Sequence, residues 1–231
     1  MSEKVLWSPP ATNNNIDKFI EYVNIKEEIN SYEALHKWSV EKKEIFWGKF
    51  WEFSNIIGEK KGDIFKDSKN FIKTKFFETS SLNYSENCLQ NYNDEDAIIF
   101  YNEQKNSRRI SWKQLRLNVF KISHYMKSKN IKPLDREAAV LPNIPETVEA
   151  FLAYAKIGAI WSSCSSDFGP QAIIDRFKQI SPKILIITDH YFYNNKKIDT
   201  LKNIKSIISK IPSIENVIVI PFGKNNISIK E

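Results

Sequence analysis

Four short apolar runs, AAVLP, AIWSS, KILIITD and ENVIVIPF, alternate with amphipathic stretches from Ala138 onward. Runs this short and this continuously apolar suit strands buried on both faces. The stretches between them, PETVEAFLAYAKIG, PQAIIDRFKQIS and TLKNIKSIISKI, have helical length and helical spacing of apolar residues. Strands and helices in strict alternation leave one simple solution, a parallel sheet with helices on both faces. The predicted class is therefore α/β.

Upstream the texture differs. AIIFY, NEQKNS and RRISW read as strand, turn and return strand. Ser111 and Gln114 form a capping box for the helix that follows, whose Leu115, Val119, Ile122 and Met126 make one stripe. Before residue 95 the chain is rich in aromatics and helical in pattern. Val40, Trp47, Phe50, Trp51 and Ile57 recur at helical steps, Ser39 offers an N-cap and Gly58 a stop, and the stripe is read as core packing. The organisation expected is a helical N-terminal cap over 1–95 and an α/β domain over 96–231.

Composition excludes several classes. The 34 basic and 28 acidic residues give a formal charge of +6, but the lysines are scattered among glutamates and asparagines, which describes a solvated surface and no nucleic-acid partner. No stretch approaches the ~20 apolar residues of a membrane span, and the first residues lack the pattern of a secretory signal, so no membrane partner is expected. Cys88 and Cys164 lie far apart without metal-ligand spacing, which suits reduced thiols in a cytoplasmic setting.

An α/β sheet places ligands at the C-terminal ends of its strands. Three such ends are visible: LPNIPE, SSCSSDFGP and TDHYFYNNKK. In the first, Asn143 reads as an N-cap with Pro145 just inside the helix. In the second, Gly169 and Pro170 start a helix whose free amides suit an anion. Serines 162, 163, 165 and 166 lack a nucleophile elbow and a visible base, and His36, His124 and His190 are not visibly paired. Turn chemistry is the preferred reading of those hydroxyls. In the third, Lys196 and Lys197 stand where a phosphate contact is plausible and where solvated lysines are also ordinary. The six glycines are too dispersed for a dinucleotide or triphosphate loop, and there is no metal-binding cluster of Cys and His.

LWSPP, YEALHKWSVE, FWGKFWEF, LNYSENCL, ISWKQLR, LPNIPE, GAIWSSCSSDFG and DRFKQISPKIL, taken in order over the whole chain, resemble the acetoacetyl-CoA synthetase (acetoacetate-CoA ligase) family of adenylate-forming acyl-CoA synthetases. The resemblance implies ATP, acetoacetate and CoA as substrates. Acetoacetyl-adenylate and pyrophosphate would form first, and CoA would then displace AMP, with Mg²⁺ neutralising phosphates. It also implies that Ser165, Ser166 and Asp167 lie beside CoA and that Lys196 and Lys197 approach its phosphates. Phe192 stands where the family commonly has Arg, and Asn195 where Gly is usual.

Family members continue into a phosphate loop, acyl and adenine pockets and a small domain with a catalytic lysine, none of which occurs in these 231 residues. The expectation is a ligase fragment inactive alone, with the missing C-terminal part, as a separate chain, a candidate partner. The alternatives are a fragment of an acetyl- or propionyl-CoA synthetase, or a non-catalytic binding module derived from one.

Overall fold

The computed structural model describes Trp7 and residues 14–222; the rest of the LWSPP phrase and the segment after Phe222 lie outside the described residues. Two compact units divide between Leu82 and Asn83.

The first unit begins with α1 (Asn15–Glu27), closed by a capping box in which the Asn14 side chain accepts from the Ile16 and Asp17 amides. Helices α2 (Tyr32–Glu41) and α3 (Lys43–Phe53) follow. Ser31, not Ser39, caps α2, accepting from the Ala34 amide at 3.1 Å. Ser39 lies inside that helix and donates to the His36 carbonyl. The helix expected to run through this stretch breaks at Lys42 (φ −120°, ψ 49°), which shifts the phase of the apolar stripe. Val40, Phe50 and Ile57 are consequently exposed, and the core is Phe19, Val23, Ile29, Leu35 and Trp38 with Phe46 and Phe53 against it.

Gly58 does not stop a helix. It pairs with Leu82 where β1 (Gly58–Glu59) meets β4 (Ser81–Leu82), and a Cβ there would lie 2.7 Å from the Ser81 carbonyl, which explains the glycine. Strands β2 (Phe65–Lys66) and β3 (Lys75–Phe76) form a second short ladder.

The second unit opens with α4 (Tyr84–Cys88). Composition changes near residue 95, but packing changes at Asn83, whose side-chain amide donates to the carbonyls of Ala155 and Lys156 at 3.0 and 3.2 Å. The expected hairpin is β5 (Asp96–Tyr101) with β6 (Ser107–Ser111). Ser111 caps α5 (Trp112–Ser128) by accepting from the Gln114 amide, while the Gln114 side chain turns away to Asn118, so only half of the capping box forms. The alternating elements are β7 (Arg136–Val140), α6 (Pro145–Lys156), β8 (Ile160–Cys164), α7 (Pro170–Phe177) and β9 (Ile184–Thr188). The hairpin β10 (His190–Tyr193) and β11 (Lys196–Asp199), a short 3₁₀ turn, α8 (Ile204–Lys210) and β12 (Asn216–Ile220) complete them.

The four long-range strands form one sheet in the order β12-β9-β7-β8, with every pairing parallel. Alternation divides their side chains. Ala139, Ile184, Ile186, Ile218 and Ile220 pack with Met126, Ala150 and Tyr154 of α5 and α6. Ala138, Val140, Leu185 and Ile187 pack with Ile173, Phe177 and Ile207 of α7 and α8. Both faces are covered, as the continuous apolar runs require.

Candidate functional site

The chain runs from β7 through α6 to β8 on one side, then crosses back by α7 to β9 on the other. That reversal makes a topological switch point between β7 and β9, the place where open α/β sheets hold ligands beyond the carboxyl ends of their strands. A cavity of about 170 Å³ lies there. Val140 and Ile187 from the ends of β7 and β9 form part of its wall, Ser166, Asp167 and Phe168 come from the loop after β8, and Tyr191 and Ile198 come from the hairpin.

The loop after β8 is a turn in which the Phe168 amide donates to the Ser165 carbonyl at 3.3 Å. Gly169 then leads into α7 without a side-chain cap. Ser166 is 8 % exposed, and its hydroxyl has no hydrogen-bond partner. A buried hydroxyl without a partner is an uncommon cost, and a polar ligand would remove it. Ser165 and Asp167 are exposed, and Asp167 joins Ser166 on the cavity wall. The neighbouring Cys164 is buried, and burial pushes its thiol up to about 11, with Asp167 adding to the rise and Arg176 opposing it. It is an inert thiol at neutral pH.

The third strand end, read from sequence as a loop, is the hairpin β10–β11. Asn194 and Asn195 have φ of 49° and 59°, the left-handed pair that a tight two-residue hairpin turn needs. The Asn195 amide donates to Glu103 and the Asn195 side chain accepts from Gln104, tying the tip to the β5–β6 turn. Cross-strand register puts Tyr191 opposite Ile198 and Tyr193 opposite Lys196 on one hairpin face, and Phe192 opposite Lys197 on the other. Lys196 therefore shares the cavity-side face with Ile198, Lys197 faces away, and both are exposed.

Two expectations need correction. Asn143 is exposed and caps nothing; α6 starts after Ile144 without a side-chain cap, and the Thr147 hydroxyl takes the Pro142 carbonyl at 2.8 Å. His190, read as not visibly paired, has its Nδ1 2.8 Å from an Asp189 carboxylate oxygen but outside hydrogen-bond geometry, and that oxygen accepts from the His190 and Phe222 amides. The adjacent Asp-His at a strand end was the available signal. That pair sits with Phe192 and Phe222 on the hairpin face opposite Tyr191, so it is no base for Ser166. Among the described residues no group of three or more His, Cys, Asp or Glu can hold a metal ion, so no step through Mg²⁺ is assigned to them.

The AMP-binding enzyme family pattern matches residues 85–229, and the pattern of the acetyl-coenzyme A synthetase N-terminus matches residues 32–88. The acetoacetyl-coenzyme A synthetase of Rhizobium meliloti (strain 1021) is 34% identical over 233 residues, covering 99% of this chain and 36% of that protein. A malonamoyl-CoA synthetase of Penicillium aethiopicum is 31% identical over 94% of this chain and 32% of its own length. The acetoacetyl-CoA synthetase structure from Streptomyces lividans superposes with a TM-score of 0.82 at 29% identity, over 90% of this chain and 33% of that one. The chain thus spans about a third of the length of the curated relatives it matches. Since a single family pattern accounts for well over half of its residues, the chain belongs to the AMP-binding enzymes.

Proposed function

We propose that this sequence contributes the CoA-side wall of an acetoacetate-CoA ligase, which joins acetoacetate to CoA through an acyl-adenylate and releases AMP and pyrophosphate. The observation that carries the reading is the match of nearly the whole chain, in sequence and in fold, to acetoacetyl-CoA synthetases. Ser166 supports it, because a buried hydroxyl without a partner stands at the switch-point cavity where a ligand would complete it. In this reading Ser165, Ser166 and Asp167 line the path of CoA. Lys196, on the cavity-side face of the hairpin, and Lys197 draw its phosphates by charge.

The cavity wall itself carries no cation, so the uncharged part of CoA suits it better than the phosphates do. ATP and Mg²⁺ would be held by segments equivalent to the remaining length of the relatives, whether in the same polypeptide or a partner chain. The cap over 1–95, the ligase domain from 96 onward and a cytoplasmic location belong to the same proposal.

The test uses the complete ligase containing this sequence. Asp167→Ala should raise the KM for CoA several-fold while leaving the KM for ATP unchanged; equal KM values for CoA in the two enzymes would return the loop to a structural role. The 231-residue chain by itself should show no acetoacetate-dependent ATP–pyrophosphate exchange.

The match to the acetyl-coenzyme A synthetase N-terminus favours a second reading, a related synthetase acting on another short acid. Comparing acetoacetate, acetate and propionate in the complete enzyme separates the two. CoA binding by the 231-residue chain, without activity in the complete one, would favour a binding module.

A further inference from the structure

Glu137 occupies β7, a strand with neighbours on both sides, and is in register with Trp161 of β8 and Ile184 of β9. It is fully buried, and neither carboxylate oxygen has a partner in good hydrogen-bond geometry, although the Ile184 amide lies close enough to act on it. Alternation along β7 puts it on the same face as Ala139, toward α5 and α6. Tyr154 of α6 is the ionisable group on that side, with Tyr125 of α5 beyond it, and the Tyr154 hydroxyl is already committed to the Met126 sulfur at 2.9 Å.

Three charged groups act on Glu137 from the ends of the strands: Asp135 before β7, Lys183 before β9 and Glu215 before β12. Lys183, the one cation, is engaged with Asp135 at 2.9 Å. An ionised carboxylate at this position would be a buried charge without a counterion, which folded proteins avoid by keeping the group neutral.

We propose that Glu137 makes the central sheet proton-linked: the folded sheet holds a proton there that the unfolded chain releases at neutral pH, so acidifying a neutral medium tightens the fold. The direction follows from the environment. Burial raises the carboxyl from 4.5 to about 8, Asp135 and Glu215 add to the rise, and the nearby Ile184 amide and Lys183 oppose it. A group raised in the folded state contributes its full stability below its unfolded value. That contribution declines as pH climbs and is gone above the folded value.

Urea unfolding of the 231-residue chain between about pH 5 and pH 7.5 tests this against E137Q. The unfolding equilibrium constant of the native sequence should rise, relative to the variant, roughly tenfold per pH unit. Parallel pH dependences for the two proteins would overturn the proposal. Should E137Q fail to fold, E137V replaces the acid with a strand-forming apolar residue and should lose the same slope. An infrared carbonyl band from a buried protonated carboxyl, present at neutral pH and absent from either variant, is the direct signature; an ionised Glu137 at neutral pH would refute it.

Discussion

The two ends of the parallel sheet treat their polar groups differently. At the N-terminal end, Arg136 donates to the carbonyls of Ile180 and Ser181, Lys183 pairs with Asp135, and the Lys183 carbonyl accepts from the amides of Glu215 and Asn216. Glu137 and the Ser213 hydroxyl before β12 are the exceptions within an otherwise satisfied, closed surface. The C-terminal end keeps a cavity, the Ser166 and Thr188 hydroxyls without partners, and a hairpin standing over the cavity. One end is finished by the chain's own contacts and the other is left for something to arrive. In an α/β sheet that asymmetry marks the binding end before any ligand is identified.

The comparison is open to mutation within a single strand. Ile184 and Ile187 both belong to β9 and are both buried, but Ile184 packs at the closed end and Ile187 lines the cavity. Truncation to alanine should cost about 4 kcal/mol for Ile184 and about 2 kcal/mol for Ile187, where a void already exists. Equal losses in urea denaturation would mean that the two ends are packed alike.

A smaller effect is expected from the ion pair near the open end. Arg108 of β6 grips Glu146 in the first turn of α6 with both guanidinium nitrogens, one at 2.8 Å, and the side chains are 20 % and 11 % exposed. Arg108→Met should cost about 2 kcal/mol by stranding the buried Glu146 carboxylate, partly offset by the helix dipole. Thermal unfolding measures it.

The smallest effect belongs to the pair at the closed end. Burial raises the Asp135 carboxyl, but the Lys183 and Lys132 hydrogen bonds and the charges of Lys183 and Arg136 together outweigh it and hold the carboxyl below its ordinary value. The stability this supplies is present above the unfolded value near 3.8 and lost as pH falls through the folded one. Asp135→Asn should therefore flatten only the acid limb of the stability profile. An unchanged acid limb would show that Lys183, a third exposed, contributes nothing through this pair. Asp135 and Glu137, two residues apart, are thus shifted in opposite directions because Asp135 accepts hydrogen bonds from Lys183 and Lys132, whereas burial dominates at Glu137 and Lys183 acts on it only through its charge.

The sheet was legible in the sequence because period and length are local properties. KILIITD and ENVIVIPF became β9 and β12 within a residue or two at each end, and Leu115, Val119 and Met126 are buried along α5 as their spacing implies. Caps were read less well. Asn143 and Ser39 have the right chemistry in the wrong frame, since the helix start depends on where the backbone turns and not on which polar residue precedes it. The hairpin over the cavity escaped because its signal, Asn-Asn between short mixed runs, is weaker than Asn-Gly. The missing partner of Ser166 was beyond reach for a different reason: four nearby serines look alike in sequence, and only tertiary packing separates one buried hydroxyl from its neighbours. Glu137 was passed over because a charged residue ahead of AAVLP looks like a strand flank, whereas β7 begins one residue earlier still.

The strand order also sets a timetable for assembly. The β7–β8 and β9–β12 pairs each close within one crossover, but β7 meets β9 only after the chain has travelled out to β8 and back, the longest separation of the three. Longer closures form later when local ones compete with them. The seam expected to zip last is therefore the one where Glu137 faces Ile184, and its closing step is also the moment at which a proton is carried into the dry interior.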